Sequence, residues 1–471
     1  MNAKIEKRPP ALFILCFLGV ITYISLIFNN NLWVDEAFTA CIVRRSFFDM
    51  LSATIADTLP PFYNVFAWCV TSVLGFNSVT LKLCSVIPMI LLLLWLIPFK
   101  VRKHFGYFVS FFFAICVIAL PHFLHYGVEI RMYSWALFAS TAAGVFCYEA
   151  IITGEKASLI PFSLFTILSA ATHYYALLCC APLWVFMFVF CLKNSGQEHS
   201  GTALSLRSFI LTALLTFVLY IPFMILTVLQ LTGANSHFSM QKVSFKVFLA
   251  DLRFPFVTNF TPLSLILLAL FAFVFIVAIY AIFKGDRTLK TYFSVLYASV
   301  TYIVLLLSYI ISLLRGNNFF TSRYLVPSLG LLWLGVSIGI SILYEKDRRF
   351  AILIMIPLIS LFVIYRQEYV SEYNPGVNAM TAYFDSHLKP GDGYVIYEDK
   401  YQIEICMRYY YPDFKKHSWE NADEITGDAY YLLVPGFEEF LEEAPSQGYE
   451  AEFITDMNFD SYSFGLYKLH R

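Results

Sequence analysis

Trp33-Val34-Asp35-Glu36-Ala37, followed by Asp57-Thr58-Leu59-Pro60-Pro61-Phe62-Tyr63, decides how this chain is read. Two adjacent carboxylates, then a third acid ahead of a Pro-Pro pair, lie between the first two apolar runs long enough to span a bilayer. Acids at the edge of hydrocarbon are costly unless they are solvated, paired or at work. Further apolar runs follow almost to residue 365. The 471 residues are 59% hydrophobic and 18% aromatic but only 14% charged, with mean hydropathy +0.67. Soluble domains carry roughly 25% charged residues. The chain therefore reads as a polytopic α-helical membrane protein. A net charge of −1 gives nucleic acid no electrostatic partner here.

The expected spans are 11–28, 82–99, 106–121, 133–151, 158–172, 175–192, 208–230, 261–283, 292–314, 325–344 and 350–365, about eleven transmembrane helices. Basic clusters at Lys4/Lys7/Arg8, Lys100/Arg102/Lys103, Lys156, Lys193/Arg207, Lys284/Arg287/Lys290 and Lys346/Arg348/Arg349 fall at alternate connections. The positive-inside rule then places the N-terminus in the cytoplasm and the segment after 365 outside. The first run exceeds a signal-peptide core and no A-x-A-like site follows it, so it is an uncleaved span. The stretch 60–75 is apolar but short, and counting it as a span would put Lys100, Arg102 and Lys103 outside. It is expected as an interfacial or re-entrant helix. A second surface helix is expected over 46–57, with Phe47, Met50, Leu51 and Ile55 on one face. Asp35, Glu36 and Asp57 would sit at the ends of these two helices.

Residues 1–365 form the membrane domain in this reading, and 366–471 a small extracytoplasmic α/β domain. The latter is acid-rich and alternates β-prone runs (394–397, 429–434, 464–469) with helical ones (377–388, 402–411, 437–443). It has no Gly-rich nucleotide loop. Most of the ten cysteines lie in apolar runs and lack metal-site spacing. Cys41 and Cys406 lie outside the runs, which leaves a disulfide between them open.

Other polar residues share the outer side with the acidic loop. His122, His125, Glu129, Arg131 and Tyr133 follow the third span, His173 and Tyr174 the fifth, and Arg323 and Tyr324 precede the tenth. Arginine's planar fork suits a phosphate. Taken singly, each residue has a plainer role: solvated loop acid, snorkelling arginine or interfacial aromatic anchor.

The order of these pieces is more specific than any one of them. Trp33-Val34-Asp35-Glu36-Ala37, Asp57-x-x-Pro60-Pro61-Phe62-Tyr63, Gly75 and Lys103-His104-Phe105-Gly106 together resemble the start of GT-C glycosyltransferases. The likeness is to glycosyltransferase family 39, which includes protein O-mannosyltransferases and lipid A aminoarabinose transferases. Glu129-Ile130-Arg131-Met132-Tyr133, Thr172-His173-Tyr174-Tyr175 and Ser322-Arg323-Tyr324 resemble later landmarks, so the likeness runs over roughly residues 10–345. Leu59 departs from it, because many relatives place His or Lys before the Pro-Pro pair. Arg131, Arg323 or a loop lysine would then compensate.

The resemblance implies transfer of a sugar from a polyprenyl-phosphate donor to an acceptor hydroxyl of protein, lipid or glycan, with inversion, at the non-cytoplasmic face of a bacterial plasma membrane. Asp35 would be the general base, Glu36 would position it, and Asp57 would be a second acid. Glu129, Arg131, Tyr133, His173, Tyr174, Arg323, Tyr324, Pro60 and Tyr63 would bind substrate. No cofactor is required on this reading, although a divalent metal could bind the acidic loop. Two other functions share these residues: a flippase or transporter for lipid-linked saccharide, and an inactive relative acting in assembly. A transporter would place ionisable groups near the bilayer midplane, whereas here the span interiors are nearly free of them.

Overall fold

The computed structural model describes residues 10–194, 204–233, 244–257, 261–315, 320–344, 363–364, 375–396, 401–433, 441–442, 444–459 and 462–470. The chain divides into two compact units, residues 1–27, 51–67 and 82–367, and residues 28–50, 68–81 and 368–471.

The helices of the N-terminal part are α1 (Pro10–Leu26), α2 (Val34–Val43), α3 (Phe47–Ala56) and α4 (Phe62–Leu74). Next come α5 (Ser78–Phe105, π-helical over Leu92–Val101), α6 (Tyr107–Ala119), α7 (Pro121–Val128), α8 (Tyr133–Thr153) and α9 (Leu159–Thr172). The remainder are α10 (Tyr174–Asn194), α11 (Leu206–Gly233), α12 (Phe245–Arg253), α13 (Thr261–Phe283), α14 (Leu289–Arg315) and α15 (Val326–Tyr344). Among the described residues, seven helices are long and apolar enough to cross a membrane, and the bent pair α6–α7 would make an eighth. Each of the first ten expected spans falls on a helix, with α1, α6 and α9 shorter than the rest at 17, 13 and 14 residues. The eleventh, 350–365, lies almost wholly outside the described residues.

Local chemistry explains the breaks. Leu120 is extended and Pro121 opens α7, so the chain turns by 65° after α6. Pro98 sits within the π-helical stretch of α5, where it cannot supply a backbone donor. Small residues let the central helices approach closely. A Cβ on Gly335 of α15 would lie 2.7 Å from the Ser294 carbonyl oxygen and the Ala298 nitrogen of α14.

The 28–81 region corrects one expectation. Helices α3 and α4 fall on the two stretches expected to be helical, but a third helix, α2, precedes them. Asp35 and Glu36 occupy its first turn rather than a loop end.

The second unit contains helices α16 (Pro375–His387) and α17 (Tyr401–Tyr410) and a five-stranded sheet. Its strands are β1 (Gly393–Val395), β2 (Lys415–His417), β3 (Ala429–Leu433), β4 (Glu450–Phe459) and β5 (Tyr462–His470), in the order β2-β1-β3-β5-β4. The β2, β1 and β3 strands are parallel, and β5 is antiparallel to β3 and β4, leaving β2 and β4 as edges. Val395, Tyr431, Leu433, Ala444 and Leu469 form its core. The α/β class is as expected; β2 and β4 were not foreseen, and the helical run 437–443 lies largely outside the described residues. Cys41 and Cys406 are both free thiols.

Candidate functional site

In the first unit, three helix junctions bring basic and aromatic side chains together. The α7–α8 link is a tight turn, with the Arg131 N–H donating to the Glu129 carbonyl at 2.6 Å, and it buries both side chains. The α9–α10 link is His173 alone, in extended conformation. Its Nδ1 accepts the Tyr175 N–H at 3.1 Å and so caps α10. The proton must then sit on Nε2, which is buried without a hydrogen-bond partner among the described residues. Arg323 and Tyr324 lie on a single 3-10 turn ahead of α15, which Ser322 anchors by donating to Asp251.

Ring contacts fix the assembly. His173 is 5.1 Å from Tyr324 and 5.7 Å from Tyr133, and Tyr324 is 4.9 Å from Tyr175. The Tyr133 hydroxyl, like His173 Nε2, is buried with no hydrogen-bond partner among the described residues. Burial, with the charges of Arg131 and Arg323, pushes the His173 imidazole down to about 3. The cluster thus combines two guanidiniums with two buried neutral donors. That donor set fits an anion with several oxygens, such as a phosphate.

The Asp57 loop belongs to the same unit and is held by α11. Gln230 Nε2 donates to the carbonyl oxygens of Thr54 (3.2 Å), Ile55 (3.3 Å) and Leu59 (3.1 Å). Gln230 Oε1 in turn accepts from the Tyr174 hydroxyl. Tyr174 is also close enough to Asp57 for their charges to interact. His173 and Tyr174, adjacent in sequence, therefore serve different neighbours: the arginine cluster and the acidic loop. Pro60 is buried, and the Tyr63 hydroxyl pairs with Ser85 Oγ at 2.7 Å. Ser85 reaches the Arg131 carbonyl at 3.5 Å, which links α4, α5 and the Arg131 turn.

In the second unit, Glu36 is fully buried and its carboxylate accepts the Trp33 N–H at 3.2 Å, closing the first turn of α2. Asp35, half-buried beside it, is not used in that cap. The pair thus divides into a helix-capping acid and a neighbour outside that cap.

Sequence reasoning missed two residues. Lys82 reads as the first residue of a span, yet it is fully buried and near enough to His125 for their charges to interact. Gln230, near the end of an apolar helix, carries no motif at all. A polar residue within an apolar run is the only signal that could have marked either. Among the described residues, no group of three or more His, Cys, Asp or Glu gathers to hold a metal.

No family model and no curated protein matches the chain. A solved structure does. ArnT from Cupriavidus metallidurans bound to undecaprenyl phosphate aligns over 97% of this chain and 97% of its own, with TM-score 0.56 and 10% identity. The chain has that fold. The apo structure of the same ArnT aligns over the same shares at TM-score 0.48 and 12% identity. The polytopic helical part followed by a small α/β part, expected from the sequence, is therefore the arrangement of elements found.

Proposed function

We propose that this protein is a membrane glycosyltransferase that moves one sugar from a polyprenyl-phosphate donor to an acceptor hydroxyl at the non-cytoplasmic membrane face. The observation that carries this reading is the cluster of buried Arg131, His173 and Tyr133 with half-buried Arg323, a phosphate-compatible donor set in a chain with the fold of a protein solved bound to undecaprenyl phosphate. The positive-inside pattern supports a cytoplasmic N-terminus.

The step needs a base and a stabilised leaving group. Asp35 takes the acceptor proton as the hydroxyl oxygen attacks the anomeric carbon, worth on the order of 10²–10⁴-fold. The bond from that carbon to the phosphate oxygen breaks, and the polyprenyl phosphate leaves with added negative charge. Arg131 and Arg323 meet that charge, with Tyr133 and His173 Nε2 donating alongside them. A single displacement inverts the anomeric centre. Asp57, on its braced loop, contacts acceptor or sugar; Glu36 keeps α2 in register. No cofactor enters the stoichiometry, and chelator titration of the purified protein tests whether a divalent ion assists.

The test uses full-length protein in nanodiscs with a panel of radiolabelled polyprenyl-phosphate sugars. Wild type should release one sugar, and D35N should do so on the order of 10²–10⁴-fold more slowly. A folded D35N with full activity removes Asp35 as the base. Wild type that turns over no donor, yet moves labelled lipid across liposomes, refutes the transferase.

A further inference from the structure

The C-terminal part of the second unit does more than pack a sheet. Tyr410, the last residue of α17, places its hydroxyl on the backbone that leads into α2. It accepts the Leu32 N–H at 2.7 Å and donates to the Asn30 carbonyl at 3.2 Å. Leu32 is fully buried, so its N–H depends on this partner. Burial raises the Tyr410 phenol far above its ordinary value, and the proton needed for donation stays in place.

At the other end of α2, Arg44 sends its guanidinium to the last turn of α17. It donates to the Arg408 carbonyl at 3.4 Å and the Tyr409 carbonyl at 3.1 Å, groups that a helix cannot satisfy within itself. The guanidinium lies 4.7 Å from the Phe76 ring centre and 5.5 Å from that of Tyr409. Between the ends, the Cys41 thiol lies 3.8 Å from the Ile405 carbonyl oxygen. One helix of the C-terminal segment therefore grips α2 at both ends. This matters because α2 has only ten residues. Isolated helices shorter than about 12–15 residues are marginal in water, so the register of α2 is set by what holds it.

We propose that Tyr410 and Arg44 are positioning residues that fix α2 so that Asp35 meets the acceptor hydroxyl, making α17 part of the catalytic apparatus. The proposal rests on the reading of Asp35 as base. A general base must lie within hydrogen-bond reach of the proton it takes, and a misplacement of about 1 Å can cost on the order of 10²-fold.

The experiment measures kcat and donor KM for full-length wild type, Y410F, R44Q, D35N and Y410F/D35N, with the polyprenyl-phosphate sugar that wild type uses. Y410F and R44Q should lower kcat about 10–100-fold while donor KM stays within about twofold. Y410F should leave the residual rate of D35N unchanged, because it acts through a carboxylate already removed. If Y410F is recovered unfolded, R44Q and R44Q/D35N carry the same comparison. Wild-type kcat in the single variants, or a further equal loss on D35N, overturns the proposal while a slow D35N leaves the base reading standing. A fully active D35N overturns both.

Discussion

Gln230→Leu removes one amide that serves four groups. Its Nε2 lies 3.1–3.3 Å from three carbonyl oxygens, so two hydrogens serve three acceptors and one bond is shared. Its Oε1 accepts from Tyr174. Two donated bonds and one accepted, at ~0.5–1.5 kcal/mol net each, sum to roughly 1.5–4.5 kcal/mol. Leucine is similar in volume, so little cavity cost is added. The loss should concentrate on the segment from Thr54 to Leu59 that carries Asp57. Hydrogen–deuterium exchange in nanodiscs reads it directly: amides in that segment should open between about tenfold and a thousandfold more often, with α8 unchanged. Acceptor KM should rise as the Asp57 loop loosens. Unchanged exchange across this segment in a folded Q230L would refute the claim that Gln230 braces the loop.

Two further predictions concern stability. The folded state holds His173 neutral down to about pH 3, whereas the unfolded chain takes up the proton near pH ~6.5. The folded pKa being the lower one, His173's contribution is complete above pH ~6.5 and is lost as pH falls toward 3, by up to ~1.4 kcal/mol per pH unit. Thermal unfolding of H173Q should therefore depend less on pH between about 7.5 and about 5 than wild type; parallel dependences would contradict this. At the opposite end of α8, Glu149 is contacted by Lys100 Nζ at 3.0 Å, Lys103 Nζ at 2.9 Å and His104 Nε2 at 3.5 Å. Breaking a buried pair costs about 3–5 kcal/mol, and Lys103 is largely exposed. E149Q should thus cost roughly 2–3 kcal/mol in denaturant unfolding, and a loss below about 0.5 kcal/mol would show the network to be idle.

The parts of the fold legible in the sequence were those written in hydropathy. Ten runs of apolar residues became helices within a few positions, because burying or embedding such runs leaves a helix as the way to satisfy their backbone. What escaped was written in tertiary contact. Helix α2 is short and has no cap residue of the usual Ser, Thr, Asp or Asn type, Trp33 standing there instead. Strand β4 mixes Glu450, Glu452 and Asp456 with apolar neighbours and gains its place by pairing with β5 and packing against α16. Arg131, His173 and Arg323 stood out because charged or polar residues are rare beside spans. Gln230 and Tyr410 did not, because their work is on backbone groups far away in the chain: Leu59 and Leu32 respectively. Asp35 and Glu36 read as an equivalent pair, whereas the fold buries Glu36 fully and gives it the Trp33 N–H.

The edges of the sheet bear on how copies of this protein behave toward one another. A protein confined to a bilayer meets its own kind in two dimensions and with a shared up-and-down orientation, conditions that favour strand-to-strand growth. One edge, β2, offers only three residues and opens with two lysines, Lys415 and Lys416. The other, β4, is longer but exposes Glu450, Glu452 and Asp456. Like edges would set lysine against lysine or acid against acid, the device by which natural sheets resist template growth. The same acids that obscured β4 in the sequence thus set like charge against like wherever two such edges meet.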